Sequence, residues 1–418
     1  MTLVLCSRRG DVLGAVPNLR VASPWWPDVE PVVAVARERL GVDVTVLRLL
    51  EADGHGPGGG TGVYLAEVAG SGSGFPAVRP LADGDRLRLL AGQDDPLRMP
   101  WARPGGVAAD LAWAGERLAE AGAPRTASAV QVKSWNLSSV VRLPTATGGF
   151  WCKHVPPFLA HEGALLARLA TTEPGLAPDV VARRRDPDGT GAVLMAGVHG
   201  VDQWEAPEPV LGAMIRRWAA AQARWARRLD ELVGLGLPDW RSGPLLAAVR
   251  RLTARGDVRS RLTDAELAAL DDLVRALPAQ LDALESCGLP ATLVHGDLHP
   301  GNWIGDGRRL TLVDWGDSGI GHPMLDALAF LSRGRRASGG GAVRERLRRL
   351  LVREWTRWCP RADPLRAMEL VEPVAALRAA LIYRAFLVGI EESERPYHQD
   401  DVPAMLRLAL AVRRSLVV

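Results

Sequence analysis

At 418 residues, with 47% hydrophobic and 24% charged side chains, the chain has the make-up of a folded protein of two or more domains, which excludes a disordered or coiled-coil class. A net charge of only +3 gives no dominant basic face for nucleic acid, and no apolar run is long enough to span a bilayer. The start, MTLVLCSRRG, has the wrong order for a signal peptide, and Cys6, Cys152, Cys287 and Cys359 lie far apart without CxxC spacing, so a cytoplasmic protein without a zinc site or disulfide framework is expected.

Taken in order, residues 1–91 read as a small α+β unit. Strand-like runs (LVLCS, VTVLRLL, GVYLAEV, RLRLL) alternate with Gly-rich turns such as GHGPGGGTG, and a helical stretch, DVEPVVAVARERLG, ends at Gly41. Residues 92–106, GQDDPLRMPWARPGG, read as a linker. VAADLAWAGERLAEAG then has helical spacing, and ASAVQVKSWNLSSVVRLPTATGGFWCKHV alternates like a meander of three strands. GAVLMAGVHG, 191–200, reads as an apolar strand leading to a Gly-bounded corner, placing a strand-rich lobe at 107–200. From about 157 onward helical patterns dominate to the end, interrupted by one strand-like insert, LTLVDW, and residues 201–418 are expected as a helical lobe. Trp218 and Trp225 fall on an apolar helical stripe and read as core, whereas Trp355, Trp358 and Tyr383 are offered as pocket lining with no spacing to single them out.

The chemistry concentrates in HGDLHPGN, 295–302. Asp297 and Asn302 are five apart, and LTLVDW delivers Asp314 seventeen residues after Asp297. Phosphoryl transfer needs one acceptor for a hydroxyl proton and oxygen ligands for a divalent cation on the phosphates, and these three residue types supply that set. Pro300 and Gly301 stop a helix, which also argues against a zinc pair from His295 and His299 and leaves those histidines to shape the loop. A cation for the donor phosphates is available at Lys153, on the strand FWCKHV. The next segment carries Glu162, Leu166 and Leu169 on one helical face, and an inward Glu is costly unless paired, so Lys153 is its expected partner. Lysine occurs only at Lys133 and Lys153, where a bias that replaced Lys by Arg left it, and asparagine only at Asn18, Asn136 and Asn302; this scarcity singles out Lys153 and Asn302 as candidates. In SWNLSS, a turn of Asn136, Ser138 and Ser139 offers backbone N–H groups and hydroxyls to phosphate oxygens.

HGDLHPGN together with VDWGDSGIGHPMLD resembles the aminoglycoside phosphotransferase family, whose fold is that of the protein kinases and choline kinases. The resemblance covers about residues 107–418 and implies a bilobal α+β fold, with a β-rich lobe and a helical lobe preceded here by the extra N-terminal unit. It implies Asp297 as catalytic base, Asn302 and Asp314 as Mg²⁺ ligands, Lys153 on the phosphates of ATP or GTP, and Glu162 orienting that lysine, with Asp317 as a helper near the metal. WNLSS matches the family's phosphate loop, which lacks the glycine fingerprint of protein kinases. The acceptor is left open among aminoglycosides, other antibiotics, sugars and amino alcohols. Glu391 and Glu392, in the acidic run GIEESERPYHQDD, are expected to suit a cationic acceptor or else to form a solvated helix end. The alternatives are a metabolic sugar or amino-alcohol kinase and a catalytically silent nucleotide-binding module. The N-terminal unit resembles a Nudix hydrolase: Glu38 precedes the motif glycine Gly41, but Arg39 and Ala34-Val35 stand where acids are needed, so a non-catalytic domain is expected.

Overall fold

The computed structural model describes residues 1–22, 25–41, 43–53, 60–68, 78–333 and 341–417; most of the expected Gly-rich turn GHGPGGGTG, residues 54–59, lies outside them. The chain divides into two compact units. The first comprises Met1–Gly163, Val180–Gly197 and Ala385–Asp400, and the second comprises Ala164–Asp179, Val198–Arg384 and Asp401–Val418.

In the first unit, β1 (Thr2–Cys6), β2 (Val12–Val16), α1 (Glu30–Leu40), β3 (Val44–Ala52) and β4 (Gly62–Val68) form a sheet of order β2-β1-β4-β3 with a helix on it. β1 and β4 run parallel and the other pairs antiparallel. Val32 and Ala36 of α1 pack with Leu3, Leu5, Val46, Leu49 and Tyr64; Leu3 and Leu5 alternate on β1, while a register shift after Val46 brings Leu49 of β3 to the same face. Gly41 ends α1 as expected, at φ +70, where its N–H reaches the Arg37 carbonyl. RLRLL, expected as a strand, is instead the helix α2 (Arg86–Gly92). Asp85 caps it by accepting from Leu87 N–H, a start signal that outweighs the alternation of Leu and Arg.

The same unit continues through α3 (Gly106–Glu120), β5 (Val130–Trp135), β6 (Ser138–Thr145), β7 (Gly148–Val155), α4 (Glu162–Thr172, of which the first two residues belong here), β8 (Val180–Arg185) and β9 (Gly191–Ala196). The expected meander is the core of an antiparallel sheet of order β5-β6-β7-β9-β8. β8 was not expected: it is a short edge strand, VVARRR, whose apolar alternation is too weak to read. Residues 92–106 are packed and not a free linker, since Met99, Trp101 and Ala102 are buried with Leu118, Val141, Leu143 and Leu194. The open side of β5 is covered by Val29 N–H on the Val132 carbonyl at 3.0 Å and by Ser134 N–H on the Pro27 carbonyl at 3.1 Å.

The second unit holds β10 (Val201–Asp202), α5 (Glu208–Trp225), α6 (Leu229–Gly234), α7 (Ser242–Thr253), α8 (Gly256–Arg259), α9 (Asp264–Ser286), β11 (Thr292–Val294), β12 (Trp303–Gly305), β13 (Leu310–Leu312), β14 (Gly319–Gly321), α10 (Met324–Arg333), α11 (Gly341–Trp358), α12 (Pro364–Gly389, here through Arg384) and α13 (Asp401–Val417). Trp218 and Trp225 are core, as expected; Trp355 is buried and Trp358 exposed on α11, which packs on α5. Where one strand-like insert was expected there are two small sheets, β10-β12-β13 and β11-β14, built from strands of two or three residues that are too short to show a period. Among the described residues no helix is long and apolar enough to cross a membrane.

Candidate active site

In the second unit, β11 delivers the segment HGDLHPGN at its C-terminal end. His295 is buried, with Nε2 3.1 Å from the Val313 carbonyl. The N–H groups of His295 and Gly296 both donate to the Asp326 carboxylate, at 2.8 and 3.0 Å, and Trp218 Nε1 and Gln222 Nε2 donate to the same carboxylate at 3.0 and 3.2 Å. Burial pushes Asp326 up to about 6, while those donors pull the other way. Gly296 sits at φ +91, and a Cβ there would stand 2.1 Å from the Asp317 carbonyl oxygen, so only glycine fits. Arg378 closes the turn by donating to the carbonyls of Asp317 at 2.9 Å and Gly296 at 3.3 Å. Asp326 and Arg378 thus fix the backbone on which Asp297 stands.

Asp297 is held from two sides. Asn302 Nδ2 donates to its carboxylate at 3.3 Å and to its carbonyl at 2.9 Å. His299 Nε2 lies 3.4 Å from Asp297 Oδ2, and the His299 ring stacks on Trp204 with centroids 4.5 Å apart and planes 12° apart. Burial lowers the His299 pKa and so favours the neutral ring; Nδ1 is buried without a partner among the described residues, so the proton belongs on Nε2, facing Asp297. Pro300–Asn302 forms a single 3-10 turn, as the Pro-Gly pair implies.

The hairpin of β12 and β13 pairs Trp303 with Leu312, and Val313 N–H donates to the Asn302 carbonyl at 2.9 Å. This register sets Asn302 beside the residue that precedes Asp314. Asp314 is exposed and takes φ +65, a left-handed conformation uncommon for a residue with a side chain. The Asn302 amide nitrogen is engaged by Asp297, so its oxygen is the atom left for a ligand. An amide oxygen and an exposed carboxylate make a donor set that suits a hard divalent cation. Asp317 is half-buried, and its carbonyl belongs to the Arg378 clamp.

In the first unit, Lys153 lies on β7 between Val140 of β6 and Val193 of β9, and its Nζ is 2.8 Å from Oε1 of the buried Glu162 at the start of α4. The Asn136-Leu137 turn joins β5 to β6. Ser138 and Ser139 are buried, and the Ser138 hydroxyl accepts from Trp135 Nε1 at 3.0 Å. Asn136 is buried too, yet neither its amide nitrogen nor its amide oxygen has a partner among the described residues.

The model of the APH phosphotransferase enzyme family matches residues 117–361, more than half of the chain and both of these residue sets. The chain belongs to that family. The phosphotransferase shares the fold of a solved GDP complex of wild-type aminoglycoside 2'-phosphotransferase-IIIa, with a TM-score of 0.51 at 14% identity over 73% of this chain and 99% of that one. Also similar are a macrolide 2'-phosphotransferase type I (TM-score 0.49, 16% identity, 72% and 97% covered) and a choline/ethanolamine kinase family protein from Mesorhizobium loti (TM-score 0.47, 17% identity, 73% and 99% covered). A search of curated protein sequences gave no match. The fold is therefore kinase-like, with a sheet-rich part and a helical part, and the family's reaction is phosphoryl transfer to a small-molecule hydroxyl.

The acidic run near the C-terminus of the phosphotransferase is not one solvated patch. Glu391 is buried and paired with Arg98, at 2.9 Å to Nη2, with Arg48 Nε 3.8 Å away, whereas Glu392 and Asp400 are exposed. Glu394 is buried as well, accepting from two backbone N–H groups. The buried Arg48 and the half-buried Arg98 account for acids in this segment without a cationic acceptor. Asp326, Arg378 and Trp204 were not expected from the sequence, because each acts through a contact with a residue far away in the chain.

Proposed function

We propose that this phosphotransferase moves the γ-phosphoryl group of ATP or GTP to a hydroxyl of a small-molecule acceptor, an aminoglycoside or another hydroxylated antibiotic. The observation that carries the reading is the hold on Asp297. A carboxylate fixed by Asn302 on one side and a neutral His299 on the other is a general base set for a hydroxyl proton. Its carboxylate takes that proton as the hydroxyl oxygen attacks, and His299 and Asn302 keep it from turning away.

Asn302 and Asp314 would hold Mg²⁺, which supplies charge neutralisation on the donor phosphates when bound. Lys153 binds those phosphates and Glu162 fixes its rotamer. The unpartnered amide of Asn136 supports a polar ligand at the β5–β6 turn, since leaving it buried and unmet costs about 1–3 kcal/mol for each group. With Ser138 and Ser139 it forms the donor-phosphate turn in this reading.

The test is release of ADP or GDP, with Mg²⁺, across aminoglycosides, macrolides, amino sugars, neutral sugars, homoserine and choline. Turnover with one acceptor, lost in Asp297→Asn, is the expected result. Nucleotide binding without consumption of any acceptor would contradict it and favour a silent binding module.

A further inference from the structure

β3 is the outer strand of its sheet, and its free side is met by side chains where a neighbouring strand would otherwise pair. Gln131 of β5 accepts from Val46 N–H at 2.9 Å and donates to the Val46 carbonyl at 2.7 Å. Ser134 Oγ donates to the Leu47 carbonyl at 3.1 Å. The next N–H on this side, that of Leu49, is taken by Glu394 Oε1 at 3.1 Å. The other oxygen of the same carboxylate accepts the N–H of Asn136 at 3.1 Å, in the turn between β5 and β6.

We propose that Glu394 is a positioning residue for the donor-phosphate turn, and that through it the N-terminal α+β segment sets the affinity for the nucleotide. The proposal rests on the reading of that turn as the donor-phosphate site. One carboxylate spans two backbone groups, so the turn can shift only if β3 or residues 391–398 shift with it. Those residues are themselves fixed: Glu391 is paired with Arg98, and Tyr397 lies edge-on to Trp26 and to Trp135 at 5.6 and 5.7 Å. Arg48, beside Glu391, also donates to the Ala91 carbonyl at the end of α2. The segment 1–91 is thereby a structural part of the nucleotide-binding unit and not an appended module.

Burial and the neighbouring Glu391 push Glu394 up to about 8, so binding is best measured at pH 8.5, where both oxygens accept. Arg48, Tyr64 and Tyr397 are the other titratable groups that act on it. The experiment measures the Kd for MgATP and MgGTP in the full-length protein and in Glu394→Gln, whose NH₂ confronts one of the two N–H groups. Gln131→Met removes a brace on β3 without touching Asn136 and serves as the control. The expected result is nucleotide affinity weakened about tenfold in Glu394→Gln, with Gln131→Met lowering the melting temperature but not the affinity.

Equal affinity in Glu394→Gln and wild type, or equal weakening in both variants, would overturn the proposal while leaving the donor reading intact. Wild-type protein that binds neither nucleotide would overturn both. Should Glu394→Gln fail to fold, hydrogen exchange of the wild type decides. MgATP is expected to slow exchange in residues 130–140 together with residues 46–51 and 391–398, and protection confined to 130–140 would overturn the proposal.

Discussion

Lys153 Nζ stands 2.8 Å from Glu162 Oε1, and the Glu162 side chain is only 2% exposed. A carboxylate this deep is stable only while its cation is present. Lys153→Met should therefore cost about 3–5 kcal/mol of unfolding free energy. Lys153→Met/Glu162→Gln should recover part of that loss, while neither variant regains turnover. Urea unfolding of the two single variants and the double variant checks this. A double variant that is the sum of the singles would mean that the contact carries no coupling.

Asp314 keeps a left-handed backbone that glycine takes without cost. Asp314→Gly should hold or raise stability, by about 1 kcal/mol, and should lower turnover by more than about a hundredfold because its carboxylate is the proposed Mg²⁺ ligand. Thermal unfolding and release of ADP or GDP measured on the same preparation separate the two effects. Loss of stability with turnover retained would refute the assignment.

Asp326 gathers the His295 and Gly296 N–H groups, the Trp218 indole and the Gln222 amide. In Asp326→Asn one acceptor oxygen is replaced by a donor facing donors. The expected cost is about 2–4 kcal/mol, with faster amide exchange at His295 and Gly296 as the local readout.

The Glu394 carboxyl has an ordinary pKa of 4.5 and is raised to about 8 in the folded protein. Between those values the folded protein holds a proton that the unfolded chain has released. Its contribution to stability is complete below about 4.5 and is lost as pH rises through about 8. Glu394→Gln has no proton to lose, so its stability relative to wild type should improve steadily as pH rises across that window. Urea unfolding at several pH values gives the comparison, and a constant difference would show that Glu394 does not titrate there.

Much of this was legible in the sequence because the chemistry sits in short local spacings. Lys153 and Glu162 are linked by one strand and one helix start, and Asp297 and Asn302 by a single turn, so residue types and offsets place them together. The scarcity of lysine and asparagine pointed the same way. Of two lysines, Lys153 pairs with Glu162, and Lys133 lies over the Trp25 ring at 5.6 Å. Of three asparagines, Asn302 holds Asp297, Asn136 is buried without a partner for its amide, and Asn18 is one of two non-glycine residues at positive φ among those described. What could not be read depends on contacts between distant parts of the chain. Asp326 meets His295 from 31 positions away, and Glu394 meets Leu49 from 345. Acidity alone made Glu391 look like a recognition surface; burial beside Arg48 and Arg98 makes it structural. RLRLL alternates like a strand, and only the capping contact of Asp85 shows why it coils.

The central claim is that Asp297 takes the proton of the acceptor hydroxyl, and the most direct measurement is transfer of a radiolabelled γ-phosphoryl group from ATP or GTP to the acceptor by wild type and by Asp297→Asn, with nucleotide Kd determined alongside. Labelled acceptor formed by wild type, with at least a hundredfold slower transfer and unchanged nucleotide affinity in the variant, is the expected result. Transfer at the wild-type rate by Asp297→Asn would contradict the account.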